Sequence, residues 1–392
     1  MSGSQSAVGA SVIVVGGGVT GLSAAWWLAR SGVDVIVIEK NIVGWGASGR
    51  NGGGATHYHS PLFAEEQRLW PQMDDLLGYP TEYRSKRIRV AINERQMEAA
   101  RPSVDRTLQQ GFPARWLDAK EVRDLVPLAG ESAVGGVFFD RAGQANPQRT
   151  VQAYAWALQD LGGKLLQHTE VVGFERVADK VTTVKTTNGN FACDQLLIAA
   201  GPQTGSLSRL LGREVPVTSA RAEMIVTEPV PLMPIGGVDG NGLFGRQTLR
   251  GNLVYGGGPH EWLPEGSIDA ERPSSPLSRS IAKRLVEMFP KAQHIRVIRS
   301  WGGIIENTPD GRPVIDHLPG ASNVVVATMS SVGFGLSPAS GHAICEMLLE
   351  GKCQFANLSD FQLSRFDNLS PGWREEWGWV PPQTLGAVGR AL

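Results

Sequence analysis

Cysteine is scarce in this sequence, and the few residues present follow no ligand-like spacing. Cys193, Cys345 and Cys353 form no Cys-x-x-Cys pair in the 392 residues. Iron–sulfur clusters and structural zinc sites need sets of closely spaced ligands. Isolated cysteines are typical of a reducing compartment. The sequence therefore predicts free thiols, no metal centre and a cytoplasmic location.

Long apolar runs and an excess of either charge are also lacking. Lys and Arg together number 37 and Asp and Glu number 38, a net charge of −1 without a long basic block. This balance gives no electrostatic basis for binding nucleic acid. No apolar run approaches the roughly 20 residues of a membrane-spanning helix, and residues 1–10 lack the basic start of a signal peptide. We expect no transmembrane segment and no nucleic-acid partner, and the length allows two domains.

Glycine, in contrast, is abundant, with 48 residues, and it forms a dinucleotide-binding pattern near the start. Gly16, Gly18 and Gly21 lie between an apolar run at 12–15 and a helical pattern at 22–30, and Glu39 ends the next apolar run. The three glycines permit a tight turn, a close approach of main-chain amides to a pyrophosphate, and tight packing of helix on strand. The phosphates then lie at a helix N-terminus. Glu39 is placed to accept hydrogen bonds from an adenosine ribose.

Two further glycine-containing stretches follow this pattern. Residues 44–54 read GWGASGRNGGG and come directly after the ribose-binding strand, and residues 195–201 read as a buried strand that ends at Gly201. A glycine-rich stretch either is flexible or lets the main chain pass close to a flat ligand, and its position favours the second interpretation. A third candidate contact is the end of the strand at 323–328, before a helix expected at 340–349.

The order of strand and helix patterns predicts a mixed α/β fold. A parallel sheet interrupted by an antiparallel unit at 170–186 accounts for the first and last parts of the chain. We expect a Rossmann-like nucleotide-binding domain from residues 1–84, 144–215 and 300–370. An inserted, mostly antiparallel β domain comes from 85–143 and 216–299, and residues 371–392 form a C-terminal tail.

Five ordered motifs together resemble the flavoproteins of the D-amino acid oxidase type. They are the fingerprint with Glu39, ASGRNGG at 47–53, AAG at 199–201, TPDGRPVID at 308–316 and SVGFG at 331–335. The group includes sarcosine oxidase, glycine oxidase and the β subunits of proline, hydroxyproline and opine dehydrogenases. The resemblance implies FAD as cofactor, with its flavin ring at the boundary of the two domains.

The residues that match the family's FAD contacts are spread over the whole chain. They are Gly16, Gly18, Gly21, Glu39, Ser48, Arg50, Asn51, Gly52, Gly53, Val171, Gly201, Gly303, Gly333, Phe334 and Gly335. Members that attach the flavin covalently carry a cysteine where this chain has Gly303, so the resemblance implies non-covalent FAD. Single-chain sarcosine oxidases place a lysine where this chain has Gly335, and another near the flavin that has no counterpart in residues 250–255.

Both departures favour a dehydrogenase that exports its electrons over a fast oxidase. The expected reaction is hydride transfer from a secondary amine or N-substituted amino acid, such as an opine, imino acid or sarcosine, to flavin N5, followed by hydrolysis of the imine. The expected partners are an α subunit and an iron–sulfur subunit or another electron acceptor. The alternatives are a self-contained glycine or D-amino acid oxidase that produces peroxide, and a non-catalytic flavin-bearing assembly subunit. The first motif alone would also fit an NAD-dependent dehydrogenase.

Four residues are candidates for substrate binding and catalysis. Arg246 offers a bidentate fork to a substrate carboxylate, and the alternative is a surface arginine. Tyr255 either orients the substrate or fills the core of the β domain. His57 and His59, with Tyr58 between them, follow the glycine run and either face the pocket or are loop residues.

Three other groups of side chains are weaker candidates. His260 and His342 are weak, and the helical pattern around His342 favours a structural role. Arg221 and Glu223 either bind a long polar substrate or pair at the surface. Trp373, Trp377 and Trp379 form a partner-docking patch or pack back on their own domain.

Overall fold

The computed structural model describes residues 8–55, 57, 60–258, 260–263, 272–370 and 372–373. Its strands form two sheets. The first contains β1 Val8–Val15, β2 Val35–Ile38, β7 Lys164–Leu166, β8 Val171–Val177, β9 Lys180–Thr186, β10 Gly189–Ile198, β17 Val314–His317 and β18 Val324–Thr328. The second contains β3 Gly54–Ala55, β4 Arg84–Ala91, β5 Ala114–Asp118, β6 Gly135–Gln144, β11 Thr218–Pro229, β12 Gly237–Gly240, β13 Leu243–Gln247, β14 Asn252–Gly257, β15 Glu261–Leu263 and β16 Val297–Asn307.

The first sheet has the expected parallel centre. Its order is β17-β18-β10-β1-β2-β7, with β1 parallel to β2 and β10, and β10 parallel to β18. Strands β8 and β9 extend it as the antiparallel unit. Near-continuous apolar runs such as Val35–Ile38, fully buried on both faces, are typical of a parallel sheet covered on both sides.

The second sheet is antiparallel except that β12 pairs with β4 in parallel. Residues 85–143 and 216–299 provide most of its strands. Strand β16 also joins it by pairing with β11, although residues 300–307 were expected in the nucleotide-binding domain, and β3 pairs with β6. We retain the two-domain division as a proposal, with these segments assigned by their sheet pairing.

The helices of the described residues lie mainly on the two faces of the first sheet and beside the second. They are α1 Val19–Arg30, α2 Phe63–Leu69, α3 Met73–Leu77, α4 Glu94–Gln109, α5 Ala119–Leu125, α6 Pro147–Asp160, α7 Thr204–Arg209, α8 Ser275–Met288 and α9 Gly333–Glu350. The helices that were not predicted from the sequence are α2, α3, α4, α5, α7 and α8. Within the described ranges, no helix combines the length and hydropathy needed to cross a membrane.

Helix α9 begins earlier than predicted, because its internal proline is accommodated. Pro338 lacks the amide hydrogen that would bond to the carbonyl oxygen of Phe334. The hydroxyl of Ser337 donates to that oxygen instead, at 2.7 Å. The helix therefore continues back to Gly333, at the end of β18.

The C-terminal tail is described only at its beginning. Trp373 is 6% exposed and therefore packs back on the protein. Trp377 and Trp379 lie outside the described residues, so their predicted role as a docking patch stays a prediction.

Candidate cofactor and substrate site

A cavity of about 1940 Å³ runs from the turn after β1 to the face of the second sheet. This volume exceeds the roughly 300–1,000 Å³ of a site for a small molecule, and it suits an extended ligand. Most of the predicted FAD contacts line it. They are Gly16, Gly18, Glu39, Ser48, Arg50, Asn51, Val171, Gly201, Gly333 and Phe334.

The three glycines of the fingerprint have different structural roles in the turn. Gly16 has φ of +113°, and a Cβ atom there would lie 2.3 Å from the carbonyl oxygen of Ala199. A Cβ atom on Gly21 would lie 2.1 Å from the carbonyl oxygen of Gly16. Gly18 has no such main-chain neighbour, and its Cβ would lie 3.1 Å from Ser48 Oγ. Gly16 and Gly21 therefore allow protein to pack on protein, whereas Gly18 leaves space on the cavity side.

Glu39 is held by the turn that it faces. Its Oε2 accepts a hydrogen bond from the amide of Gly17 at 2.7 Å, and its Oε1 accepts one from the amide of Asn41 at 2.8 Å. An ionised carboxylate has about four acceptor positions, so two remain for hydroxyl groups of a ribose. The geometry fits the predicted role of Glu39.

The second glycine-rich stretch is fixed by internal hydrogen bonds and is not a loose loop. Ser48 Oγ accepts from the amide of Val19 at 2.9 Å, which joins this stretch to the start of α1. Asn51 Nδ2 donates to the carbonyl oxygens of Ala47 and Ser48 at 3.1 and 2.9 Å, and its Oδ1 accepts from the amide of Gly53 at 2.7 Å. The side chain of Asn51 is thus used to shape the loop.

Contacts with β16 hold this stretch against the second sheet. Arg50 Nη1 donates to the carbonyl oxygen of Gly302 at 3.0 Å, and Trp301 Nε1 donates to the carbonyl oxygen of Arg50 at 2.9 Å. A Cβ atom on Gly303 would lie 3.3 Å from Arg50 Cβ. Gly303 therefore permits close packing of the sheet on Arg50 and is not among the residues that line the cavity.

Two helix N-termini face the cavity. Neither α1 nor α9 has a side-chain cap or an acidic residue in its first turn. Such ends carry main-chain amides without intrahelical acceptors and a partial positive charge, which favour anionic groups. The end of α1 suits a pyrophosphate, and Gly333 and Phe334 at the end of α9 lie beside it in the same cavity.

Gly335, by contrast, packs against protein. A Cβ atom there would lie 2.2 Å from His57 Cε1, and its carbonyl oxygen accepts a hydrogen bond from Trp70 Nε1 at 2.7 Å. Gly21, Gly52 and Gly53 also do not line the cavity. A direct contact of any of these glycines with the cofactor stays a prediction.

Arg246 lies in the cavity, as the substrate-binding hypothesis requires. Its Nη1 donates to the carbonyl oxygen of Gly52 at 3.0 Å. Burial lowers the pKa of its guanidinium to about 10, so it stays charged at neutral pH. This position argues against the alternative of a surface arginine.

Tyr255 lies in the core of the second domain, which corrects its assignment as a catalytic candidate. It is 0% exposed and packs edge-on against Phe289, with ring centroids 5.7 Å apart. Its hydroxyl donates to the carbonyl oxygen of Val238 at 2.9 Å, and burial raises the pKa of that hydroxyl. The sheet places it on the face opposite the cavity, because neighbouring residues of a strand point to opposite sides.

His57 forms a pair with a buried carboxylate. Its Nδ1 lies 3.0 Å from Glu66 Oε1, and Glu66 is 0% exposed. His57 does not line the cavity but packs beside Gly335, so its catalytic role stays a prediction. His59 and Tyr58 lie outside the described residues.

The weaker candidates have structural surroundings. His342 is stacked between Trp27 and Phe355, and its Nδ1 lies 2.9 Å from Glu65 Oε1. Arg221 Nε lies 3.4 Å from Glu223 Oε1, so these two side chains pair, although both are largely buried and not at the surface.

Burial lowers the pKa of His260. Its Nδ1 is buried and has no hydrogen-bond partner among the described residues.

Glu306 is a cavity residue that the sequence reasoning missed. Its Oε1 accepts hydrogen bonds from the amide of Met329 at 3.1 Å and from Thr328 Oγ1 at 3.2 Å. Burial raises the pKa of its carboxyl, although these hydrogen bonds oppose the rise. It lies two residues before the TPD motif, and this position was the feature of the sequence that could have pointed to it. Its side chain ties β16 of one sheet to the end of β18 of the other.

No cysteine lines the cavity, and among the described residues no group of three or more His, Cys, Asp or Glu side chains could hold a metal ion. Cys193 and Cys345 are buried elsewhere. The glycine-lined turn, the ribose-directed carboxylate and the paired helix N-termini fit the ADP and flavin portions of FAD held without a covalent bond to cysteine.

Comparisons with known proteins agree with this geometry. The chain is 29% identical over 371 residues to the beta subunit of a sarcosine oxidase from Rhodobacter capsulatus, covering 91% of this chain and 88% of that protein. It is 26% identical over 377 residues to the B subunit of an opine oxidase from Rhizobium meliloti, covering 90% and 97%. The crystal structure of glycine oxidase from Geobacillus kaustophilus matches with a TM-score of 0.83 and 26% identity, covering 91% of this chain and 98% of that one.

A family model for FAD dependent oxidoreductases matches residues 11–347. This match confirms FAD as the cofactor, and the likeness to the glycine oxidase structure confirms the predicted mixed α/β fold. The non-covalent attachment of the FAD stays a prediction. The chain therefore belongs to the FAD dependent oxidoreductase family of the D-amino acid oxidase type.

Proposed function

We propose that this protein oxidises a secondary amine or N-substituted amino acid. The observation that carries this proposal is the position of Arg246, which lines the same cavity as the FAD-contact residues and whose guanidinium is held on the carbonyl oxygen of Gly52. A fixed guanidinium is suited to a carboxylate by bidentate hydrogen bonding. It would orient an amino acid so that the carbon next to nitrogen meets the cofactor.

When bound, FAD supplies the acceptor for the hydride that leaves this carbon. The residues of the chain have the other tasks. Arg246 holds the substrate carboxylate, and Gly18, Glu39 and Ser48 provide the surroundings of the ADP portion. The nitrogen lone pair forms the C=N bond, and water then cleaves the imine to an amine and a carbonyl compound.

We further propose that the electrons pass to a partner. Two of the relatives are themselves single subunits, beta or B, of larger oxidases, which supports an α subunit and a further electron acceptor. Lys40, near Glu39, is the only lysine among the described residues that line the cavity, so no lysine is placed near the expected flavin end. We place this activity in the cytoplasm, as the isolated cysteines suggest.

A self-contained oxidase is the second candidate. The match to a glycine oxidase over 98% of that chain favours it. Peroxide produced by the purified chain alone, at the rate of substrate loss, would support it and would contradict electron export.

The test of the leading proposal is anaerobic reduction of the bound flavin by a panel of secondary amino acids. We expect at least one member to bleach the flavin absorbance. We expect Arg246→Met to raise the half-saturating concentration about tenfold or more, since hydrogen bonds to a charged group contribute about 1.5–3 kcal/mol each. Arg250→Met, at an exposed arginine in the turn between β13 and β14, is the matched control. Failure of every amine to reduce the flavin would overturn the proposal.

A further inference from the structure

A row of four side chains crosses the second sheet on the face that lines the cavity. Arg246 on β13 is paired with Val254 on β14, Val254 with Val226 on β11, and Val226 with Arg299 on β16. All four residues line the cavity. Their neighbours Ile225 and Tyr255 belong to the apolar core on the opposite face, as the alternation along strands requires. Two arginines thus bracket two valines.

The spacing of the row is set by the sheet. Adjacent strands lie about 4.8 Å apart, so three steps separate the Cα atoms of Arg246 and Arg299 by about 14 Å. The guanidinium of Arg246 is held on the carbonyl oxygen of Gly52, and Arg299, which is exposed, has its guanidinium beside Trp301, two residues further along its own strand. The row therefore presents an apolar floor with a positive charge at each end.

Both guanidiniums keep donors for a ligand. A guanidinium has five N–H donors, and within the described residues Arg246 uses one of them, in its hydrogen bond to the carbonyl oxygen of Gly52. The guanidinium of Arg299 lies over the ring of Trp301, 5.9 Å from its centroid. In the described part of the chain, neither arginine has a carboxylate within ion-pair distance. The negative charge of Glu82 raises the pKa of Arg246 against the larger effect of burial. The Glu82 carboxylate itself accepts a hydrogen bond from Asn146 Nδ2 at 2.9 Å and lies 3.8 Å from Arg149 Nε.

We propose that the substrate is a secondary amine with two carboxylates, one at each end of an apolar middle. Arg246 binds the carboxylate next to the oxidised carbon, and Arg299 binds the distal one. This inference rests on the proposed function and narrows its substrate class. A substrate with one carboxylate would leave Arg299 without a role in binding.

The experiment separates binding from oxidation. A matched pair of thioethers, (carboxypropylthio)acetate and (butylthio)acetate, replaces the amine nitrogen by sulfur and differs by one carboxylate. Each is titrated into the holoprotein while the perturbation of the flavin absorbance is recorded. The corresponding amines, N-(carboxypropyl)glycine and N-butylglycine, are then tested for anaerobic flavin reduction.

We expect the wild type to bind the diacid at least tenfold more tightly than the monoacid. Arg299→Met should remove this preference and change the monoacid affinity less than twofold, and Arg299→Lys should restore part of it because the charge is kept. Arg246→Met should weaken both ligands, and Arg250→Met should weaken neither. Equal affinities in the wild type, or equal losses for both ligands in Arg299→Met, would overturn the inference. Flavin reduction by N-butylglycine alone would leave the proposed function intact in that case, whereas the absence of reduction by these two amines and by every other secondary amino acid of the panel would contradict the proposed function.

Discussion

The three glycines of the nucleotide turn should respond differently to the same substitution. In Gly16→Ala the new methyl group meets a main-chain oxygen at 2.3 Å, and the residue has φ of +113°. Backbone strain of about 1–3 kcal/mol adds to overpacking of about 1–3 kcal/mol, so we expect a loss of about 2–6 kcal/mol. Gly21→Ala meets a main-chain oxygen at 2.1 Å without a positive φ, so we expect about 1–3 kcal/mol. Either loss is a large part of a typical stability of about 5–15 kcal/mol.

Gly18→Ala should leave folding almost unchanged. The nearest atom to its Cβ is Ser48 Oγ at 3.1 Å, a side-chain oxygen that needs to yield by only a few tenths of an ångström, and φ is −76°, so we expect less than about 0.5 kcal/mol. The methyl group occupies the space on the cavity side, where a pyrophosphate approaches the amides. We therefore expect a Kd for FAD raised about tenfold or more, which corresponds to about 1.4 kcal/mol.

Urea unfolding of the apoprotein and fluorescence titration with FAD separate these effects. The reasoning predicts lower urea midpoints for the two packing variants, and an unchanged midpoint with weaker FAD binding for Gly18→Ala. Equal destabilisation of the apoprotein by all three substitutions would refute the division of the motif into packing and cofactor-facing glycines. A Gly16→Ala protein as stable as the wild type would refute it as well.

Three further predictions concern single side chains. Because burial raises the pKa of Glu306 above its ordinary 4.5, the stability that this group contributes is present below pH 4.5 and is lost as the pH rises through the raised value. The urea midpoint of the apoprotein should therefore fall from pH 4.5 to pH 7 more than that of Glu306→Gln, and parallel pH profiles would contradict this. Tyr255→Phe should cost about 0.5–1.5 kcal/mol, since it removes the buried hydrogen bond from the hydroxyl to the carbonyl oxygen of Val238, while the substrate concentration that half-reduces the flavin stays the same; a changed half-saturating concentration would indicate that Tyr255 acts in the substrate site. Ser48→Ala removes the acceptor for the amide of Val19, so we expect weaker FAD binding with a thermal midpoint lowered by a few degrees, and unchanged FAD affinity would count against the proposed position of Ser48.

Much of the nucleotide-binding half could be predicted from the sequence because its signals are local. The turn at Gly16 to Gly21 depends on residues a few positions apart, and the buried strand at Val35–Ile38 is a continuous apolar run. Glu39 could be assigned because it directly follows that strand. The family resemblance added the cofactor, since five motifs in a fixed order are more specific than any one of them.

The second domain was harder to predict, for physical reasons. Helices α4, α5 and α8 mix apolar and polar residues, and most of the stability of such helices comes from packing one face against the rest of the protein. Tyr255 and Val254 are adjacent in the sequence, yet one lies in the core and the other in the cavity. Which face is which depends on the strands that pair with β14.

The sequence by itself determined that the chain is a flavoprotein of this family. The features that determined it are the glycine turn, the acidic residue directed at the ribose, and three cysteines that follow no ligand pattern. Only the tertiary structure decided that Glu306 joins the two sheets and that Arg246 and Arg299 end one row across four strands. The fingerprint is encoded by neighbours along the chain, whose spacing the backbone fixes. The row is encoded by the register between strands up to about 70 residues apart along the chain, which is set only when their side chains pack.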